Sequence, residues 1–204
     1  MTTNRSRKLS RRDFTALLLG AFGMAPGTPA MADSGAEGYV GKIAGEVMAL
    51  ANSGGSGNAL RNRFASLLNR YISLQNIANF ALGPYQKQLP AGDKAEFYTL
   101  FSNYAAALFV YYVDGFQGND LKIISDKKEG NYTTIDSAII LKSGGQQKIK
   151  WRLVPAGGGY KVSDINIKGV WLTIATKDRF RKVLNGSKGD FKALFAELKS
   201  AETW

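Results

Sequence analysis

Residues 147–154 read QKIKWRLV, and their strict alternation predicts a β-strand with two different faces. Apolar side chains point to one side of this strand and cations point to the other. The apolar set is Ile149, Trp151 and Leu153, and the basic set is Lys148, Lys150 and Arg152. The strand therefore belongs to a sheet that packs one face on a core and exposes a basic face to water.

Three further segments read as strands around this one. They are residues 121–124, 132–141 and 160–167. Short runs of turn residues connect the four segments, and this spacing predicts an antiparallel meander. Ile135 and Ile139 share a face of the second segment, so we expect them on the inner side of the sheet with Trp151 and Leu153.

Helical patterns precede and follow the strands. Apolar residues recur at helical spacing over residues 36–51, 58–79, 93–113 and 171–184, and again from about residue 190. The stripe of the third helix is strongly aromatic and includes Phe97, Phe101 and Tyr104. The order of elements predicts an α+β domain, with a sheet of about four strands between two groups of helices.

The first 32 residues have the anatomy of a secretory signal peptide. A basic segment precedes an apolar run from Phe14 to Ala25, which is too short to span a bilayer, and the sequence Ala30-Met31-Ala32 resembles a cleavage site. Arg11 and Arg12 give the signal a twin-arginine character. We therefore expect a signal peptide over residues 1–32, export of the protein, and one domain over residues 33–204.

The composition of the chain excludes several kinds of catalytic and metal-binding site. The chain has no cysteine and no histidine, which excludes thiolate and histidine catalysis and the common zinc sites. No phosphate-binding loop or calcium loop is recognisable, so we expect no metal and no cofactor. The signal segment carries five basic residues and one acidic residue, so its removal lowers the net charge from +11 to +7. An exported basic protein is expected to meet membranes, lipid head groups or acidic proteins, and not nucleic acid.

Three segments together resemble the MlaC, or toluene-tolerance, family. The most telling is residues 160–180, YKVSDINIKGVWLTIATKDRF, in which Tyr160, Lys161, Val162, Asp164, Gly169, Val170 and Phe180 match the family's pattern. The other two are residues 64–85 and 96–112. One departure is Trp171, which stands where the family usually has serine. Either the turn into the next helix differs here, or the tryptophan reaches into the ligand cavity that the family's fold encloses.

The resemblance implies a periplasmic lipid carrier. Family members carry phospholipids between an inner-membrane ABC transporter complex and an outer-membrane lipoprotein complex. The implied fold has a curved sheet and helices that enclose an apolar cavity for acyl chains. The family also has a hopanoid-associated branch, so a hopanoid or another apolar small molecule is an alternative ligand.

Candidate site residues follow from the predicted inner faces together with this resemblance. The expected cavity wall consists of Phe97, Phe101, Tyr104, Leu108, Ile135, Ile139, Trp151, Leu153, Ile165 and Trp171. Tyr111 and Tyr112, near a helix end, are candidates for head-group contacts at the cavity mouth. Lys148, Lys150 and Arg152 are candidates for docking on an acidic partner, and a solvated sheet face explains them equally well.

An enzyme is the rival hypothesis. A curved sheet with helices also occurs in the NTF2-like fold of isomerases and dehydratases, which use an Asp or Tyr in an apolar pocket. Tyr132 and Asp136 lie on one strand face and are the candidates for such a pair. The opposite face of that strand is the more apolar, which favours an exposed Asp136. Asp164 is expected to stabilise a turn.

Overall fold

The computed structural model describes residues 33–55 and 57–201. The predicted signal peptide, residues 1–32, lies outside the described residues, so its elements stay predictions. In the described part of the chain, no helix is long and apolar enough to cross a membrane.

The centre of the fold is an antiparallel sheet of five strands in the order β1-β2-β3-β4-β5, curved and not closed. The strands are β1 Gly118–Glu129, β2 Tyr132–Leu141, β3 Gln146–Ala156, β4 Gly159–Ile167 and β5 Val170–Trp171. The predicted meander is thus confirmed for four strands, and β1 is longer than expected. The short β5 was not predicted, because two residues carry no periodicity.

Residues 33–55 and 57–201 form six helices, which leave the outer face of β3 exposed at Lys148 and Lys150. The helices are α1 Ser34–Asn52, α2 Gly57–Tyr71, α3 Leu74–Leu82, α4 Lys94–Tyr111, α5 Leu172–Gly186 and α6 Phe191–Ser200. Single 3-10 turns occupy Gly83–Lys87, Ala91–Asp93 and Val113–Phe116. The Asp33 carboxylate accepts a hydrogen bond from Ala36 N at 3.1 Å and so caps the start of α1.

The single helix predicted over residues 58–79 is wrong. The helix is interrupted at Ile72 and Ser73, because Ile72 forms a parallel bridge to Val162 on β4. Ser73 N also donates to the Val162 carbonyl at 3.4 Å. This contact lies about ninety residues away in sequence, so local periodicity could not reveal it. The break turns α3 away from α2 and brings it alongside the end of β4.

A β-bulge in β4 shifts the alternation of its side chains. Arg152 pairs with Asp164, whereas Leu153 pairs with Val162, so Ser163 is an extra residue. Val162 and Ile165 both face the core as a result. The two residues between them, Ser163 and Asp164, are consecutive polar residues on β4.

The apolar interior consists of two clusters. The first, here called the sheet-side core, joins the inner face of the sheet to α1, α2 and the C-terminal part of α4. The second, here called the helical core, joins α3, α5 and α6 to the N-terminal part of α4. Leu74 and Ile77 of α3 pack against both clusters.

Candidate functional site

An apolar cavity lies at the boundary of the two cores, and we call it the seam cavity. Its wall combines residues from five elements and the α2–α3 break, among them Ile77 from α3, Phe101, Tyr104 and Leu108 from α4, Ile165 from β4 and Leu172 from α5. Both cores therefore contribute to one wall. The lining is almost wholly apolar, and its polar members are Asp164, Thr173, Thr176 and the Tyr104 hydroxyl.

The seam cavity is narrow in this structure. Its volume is about 50 Å³, whereas ligand sites commonly measure about 300–1,000 Å³. Burial raises the pKa of the Tyr104 phenol above its ordinary value, so the hydroxyl stays neutral at this apolar wall. The polar groups of the wall are few, and Asp164 and Thr173 bond to each other, so the lining is that of an apolar binding site.

A second depression adjoins the seam cavity, and we call it the polar recess. It has a volume of about 280 Å³ and shares Ile77, Asp164 and Thr173 with the seam cavity. Its other lining residues are Ser73, Asn76 and Phe80 from α3 and its N-cap position, Arg152 and Val154 from β3, and Ser163 from the bulge. The site therefore changes from apolar to polar across the shared residues.

Asp164 ties β4 to the start of α5. Its carboxylate is buried and accepts hydrogen bonds from Thr173 N at 3.1 Å and from Thr173 Oγ1 at 2.5 Å. It also accepts from Ile165 N at 2.9 Å. The residue at the N-cap position, Trp171, has no side chain that can cap the helix, so Asp164 supplies the cap from another strand. This geometry agrees with the turn-stabilising role expected for Asp164.

Arg152 lies in the polar recess against two aromatic rings. The guanidinium carbon is 4.2 Å from the centroid of Trp171 and 5.1 Å from that of Tyr132. Its Nη1 is 3.5 Å from Asp164 Oδ2, a long ion pair. Among the residues of the described ranges, the buried Nε of Arg152 has no hydrogen-bond partner. The cation is therefore positioned by stacking more than by hydrogen bonds.

Four of the ten predicted wall residues line the seam cavity. They are Phe101, Tyr104, Leu108 and Ile165. The sequence reasoning missed Leu74, Ile77 and Leu172, although their apolar character at helix starts was visible. Leu74 and Ile77 were missed because the break at Ile72 and Ser73, which brings α3 to this place, was not foreseen.

Five other predicted wall residues lie in packed core instead. Phe97 is enclosed in the helical core, and Ile135, Ile139, Trp151 and Leu153 are enclosed in the sheet-side core. The physical reason is that α1 and α2 cover the inner face of β2 and β3 and fill the space that the prediction left to a ligand. Trp151 even has an internal partner, since its Nε1 donates to Ser137 Oγ at 2.8 Å.

Trp171 is the tenth, and it is not part of the cavity wall. It is half-buried in β5 and stacks beneath Arg152, as described above. Helix α5 begins directly after it. The sequence left two alternatives for Trp171, a different turn into the next helix or a side chain that reaches into the cavity. The side chain does not reach into the seam cavity. It contributes instead to the polar recess by holding the arginine.

The remaining candidates are distributed around the surface. Tyr111 and Tyr112 pack edge to face at the end of α4, with centroids 5.0 Å apart, and neither lines the seam cavity or the polar recess. Lys148 and Lys150 lie on the outer face of the sheet and are exposed. Arg152 differs from both lysines, because α3 and α5 approach its end of the sheet.

The residues proposed for an enzyme do not meet in a pocket. Asp136 Oδ2 accepts from Lys150 Nζ at 3.0 Å on the outer face of the sheet, and Tyr132 lies against Arg152. Neither residue lines the seam cavity. Over residues 33–55 and 57–201, no group of three or more acidic side chains is placed to hold a metal ion.

Comparison with known proteins gives the family. The sequence profile described as MlaC protein matches residues 42–200. The chain belongs to the MlaC family. This confirms the resemblance found in the three segments. A search of curated proteins found no match to this MlaC-family chain.

A solved structure shares the fold of this MlaC-family protein. It is a phospholipid-binding protein from Ralstonia solanacearum in complex with a phospholipid. The TM-score is 0.65 at 16% sequence identity, and the match covers 84% of this chain and 97% of the other. The comparison confirms the α+β fold with a curved, unclosed sheet and flanking helices.

Proposed function

We propose that this protein is a periplasmic carrier that holds the acyl chains of a phospholipid in the seam cavity and shuttles the lipid between membrane complexes. Membership of the MlaC family and the phospholipid bound to the Ralstonia protein support the ligand class. The observation in this chain that carries the proposal is an almost wholly apolar cavity between two separately packed cores.

Loading requires the seam cavity to widen, since about 50 Å³ is too little for an acyl chain. We propose that α3 moves, since it packs on the other wall helices and has few contacts of its own with the sheet. The contacts with Val162 of β4 are made by Ile72 and Ser73, directly before α3, and the helix itself packs mainly on α4 and α5. Each buried methylene of a bound chain contributes about 0.8 kcal/mol, which offsets the cost of separating apolar side chains.

Export to the periplasm is the second part of the proposal, and it rests on the predicted signal peptide. The structure adds one supporting observation at Asp33, the first residue after the proposed cleavage site. Asp33 N donates to Asp126 Oδ2 at 2.9 Å. Cleavage after Ala32 would replace this amide with an ammonium group, and the hydrogen bond would then join opposite charges. Intact mass measurement of the exported protein is expected to give Asp33 as its first residue.

Partner docking is the third part. Lys148 and Lys150 present exposed cations on the outer face of the sheet, on the side away from the sheet-side core. We propose that this face meets acidic surfaces of the inner-membrane ABC transporter complex and the outer-membrane lipoprotein complex. Charges of this kind mainly raise the association rate, which then falls with added salt.

The test is native mass spectrometry of the exported protein, followed by extraction and identification of the bound lipid. We expect phospholipid in fixed stoichiometry. Leu108→Trp fills the seam cavity and is expected to abolish this lipid, because the larger ring occupies its space. Asn103→Trp is the matched control, since Asn103 is exposed on the same helix. It is expected to retain the lipid.

The outcomes separate the alternatives. A hopanoid in place of phospholipid would assign the protein to the other ligand class. Equal lipid content in the Leu108→Trp and Asn103→Trp proteins would contradict the placement of acyl chains in the seam cavity. A wild-type protein that neither contains nor takes up lipid would refute the carrier function itself.

A further inference from the structure

The polar recess and the seam cavity together have the shape of a site for an amphiphile. The recess is the larger and the more polar of the two, and they adjoin at Ile77, Asp164 and Thr173. A ligand with an apolar chain and a polar group could fill both without burying its polar group in the apolar part. Such a ligand would place its polar group beside Arg152.

Arg152 lines the recess and has unused hydrogen-bonding capacity. A guanidinium carries five N–H donors in a planar fork that matches the oxygens of a phosphate. In the described part of the chain, Nε of Arg152 is buried without a partner, and the contact of Nη1 with Asp164 is long at 3.5 Å. Asp164 already accepts three shorter hydrogen bonds from Ile165 and Thr173. The guanidinium of Arg152 therefore has N–H donors available for an anion.

Other groups around the recess favour an anion. Ser73 and Asn76 line it from α3, and within the described ranges their side chains form no hydrogen bond. Lys177 lies over the ring of Phe80 at 4.7 Å, and Phe80 lines the recess. Arg152 and Asp164, the charged residues that line the recess, have opposite charges, and Lys177 beside Phe80 adds a further positive charge.

The carboxylates near the recess do not cancel this charge. Asp164 is the acidic side chain that lines it. Glu129, at the end of β1, lies close enough to sense the charge of Arg152, but it forms an ion pair with Lys127 at 2.6 Å. The stack on Trp171 also fixes the guanidinium plane, which lowers the entropy lost when an anion binds.

We propose that Arg152, held against Trp171, binds the phosphate group of a phospholipid in the polar recess while the acyl chains occupy the seam cavity. This inference rests on the proposed carrier function and adds to it a reason to select phosphate-bearing lipids over neutral ones. It also moves Arg152 from the proposed docking face to the ligand site.

The experiment measures this selection directly. The delipidated full chain is offered equal amounts of palmitoyl-oleoyl phosphatidic acid and palmitoyl-oleoyl glycerol, which have the same acyl chains and differ by the phosphate. Native mass spectrometry gives the ratio of the two bound lipids. We expect the wild-type protein to prefer the phosphate-bearing lipid by about 10- to 100-fold, the range of a few hydrogen bonds to a charged group.

Variants assign this preference to the arginine. Arg152→Gln is expected to remove most of the preference while the protein still binds lipid, and Arg152→Lys is expected to keep part of it, because the charge stays and the fork is lost. Arg181→Gln is the matched control. Arg181 is exposed on α5, where it pairs with Asp178, and its loss is expected to leave the ratio unchanged. Thermal unfolding of each variant shows whether it is folded, and Arg152→Lys keeps the test decisive if Arg152→Gln is not.

Each result has a distinct meaning. A wild-type protein that binds neither lipid would refute the carrier function and this inference with it. A wild-type protein that binds both lipids equally, or an Arg152→Gln protein that keeps the full preference, would refute the inference alone. A final arm titrates inorganic phosphate alone by calorimetry. Arg152-dependent binding of phosphate without any preference between the lipids would identify a free-anion site and overturn the assignment to a lipid head group.

Discussion

The helical core and the sheet-side core are packed from different kinds of residue. The helical core is centred on a group of rings, in which Phe97 contacts Tyr98, Phe101, Phe180 and Phe195 with centroids 5.5–6.3 Å apart. The sheet-side core is built mostly from aliphatic residues of the strands and of α1 and α2, which cover them. Helix α4 belongs to both, and the seam cavity lies where its side chains pass from one core to the other.

This difference explains why the seam suits a binding site. Each core encloses its own members, so a boundary between them can widen while the packing inside each is kept. The wall residues on α3 and α4, such as Leu74, Ile77 and Leu108, are half-buried aliphatic groups. They form no hydrogen bonds that opening would break. A ligand site placed inside either core would have required the loss of close packing.

The largest effect is expected from a change that breaks the helical core. Phe97→Ala removes a fully buried ring from the centre of four ring contacts, and we expect it to lower the free energy of unfolding by about 3–5 kcal/mol. Leu108→Ala, on the same helix but at the half-buried wall of the seam cavity, is expected to cost only about 1 kcal/mol, since less surface is uncovered.

Urea unfolding followed by tryptophan fluorescence measures both values. The contrast between the two substitutions is the point of the test. Equal losses of stability would mean that the seam is packed as tightly as the helical core, and the boundary described here would have no energetic basis.

Much of this architecture follows from local sequence pattern, and the rest depends on distant contacts. The alternation around Trp151 identified the inner face of the sheet, and the stripe on α4 identified its buried side. Neither pattern distinguishes a residue covered by protein, such as Ile135, from one that lines a cavity, such as Phe101, because both repeat with the same period. That distinction is decided by which helix covers each face.

Arg152, on the outer face of the sheet, shows the same limit of prediction from local sequence pattern. Alternation correctly placed it with Lys148 and Lys150, away from the sheet-side core. Its different role arises from the bulge at Ser163 and from the approach of α3, which follows the bridge between Ile72 and Val162. These are tertiary features, and the local pattern of β3 contains no sign of them.

An intermediate effect is expected from Asp164→Asn, which acts on the link between β4 and α5. The amide keeps one acceptor for Thr173 N but no longer offers a charged oxygen to Thr173 Oγ1 and Arg152. Because hydrogen bonds to a buried charged group contribute about 1.5–3 kcal/mol, we expect the free energy of unfolding to fall by about 2 kcal/mol.

Thermal and urea unfolding check this value against Asp178→Asn. Asp178 is exposed on α5 and pairs with Arg181, so its substitution is expected to change stability by less than about 0.5 kcal/mol. If Asp164→Asn were equally harmless, the cap on α5 would not be a structural link, and the buried carboxylate would become a candidate for chemistry.

The smallest effect is expected from Tyr160→Phe, at the N-terminal edge of the sheet-side core. It is a change in how the free energy of unfolding depends on pH. Tyr160 donates a hydrogen bond to Asp33 Oδ2 at 2.5 Å, and this bond holds the pKa of the Asp33 carboxyl below its ordinary value. A lowered folded-state pKa means that ionised Asp33 stabilises the fold above about pH 4, and that this stability is lost as the pH falls through the lowered value. Tyr160→Phe should weaken that dependence.

The measurement compares unfolding free energies at pH 5 and pH 3. The wild type is expected to lose more stability over this interval than Tyr160→Phe, by less than about 1 kcal/mol because the site is partly solvated. Tyr85→Phe is the control, since Tyr85 donates to the neutral Asn185 side chain and its cost should be the same at both pH values. Parallel pH profiles for all three proteins would show that the hydrogen bond from Tyr160 does not set the pKa of the Asp33 carboxyl.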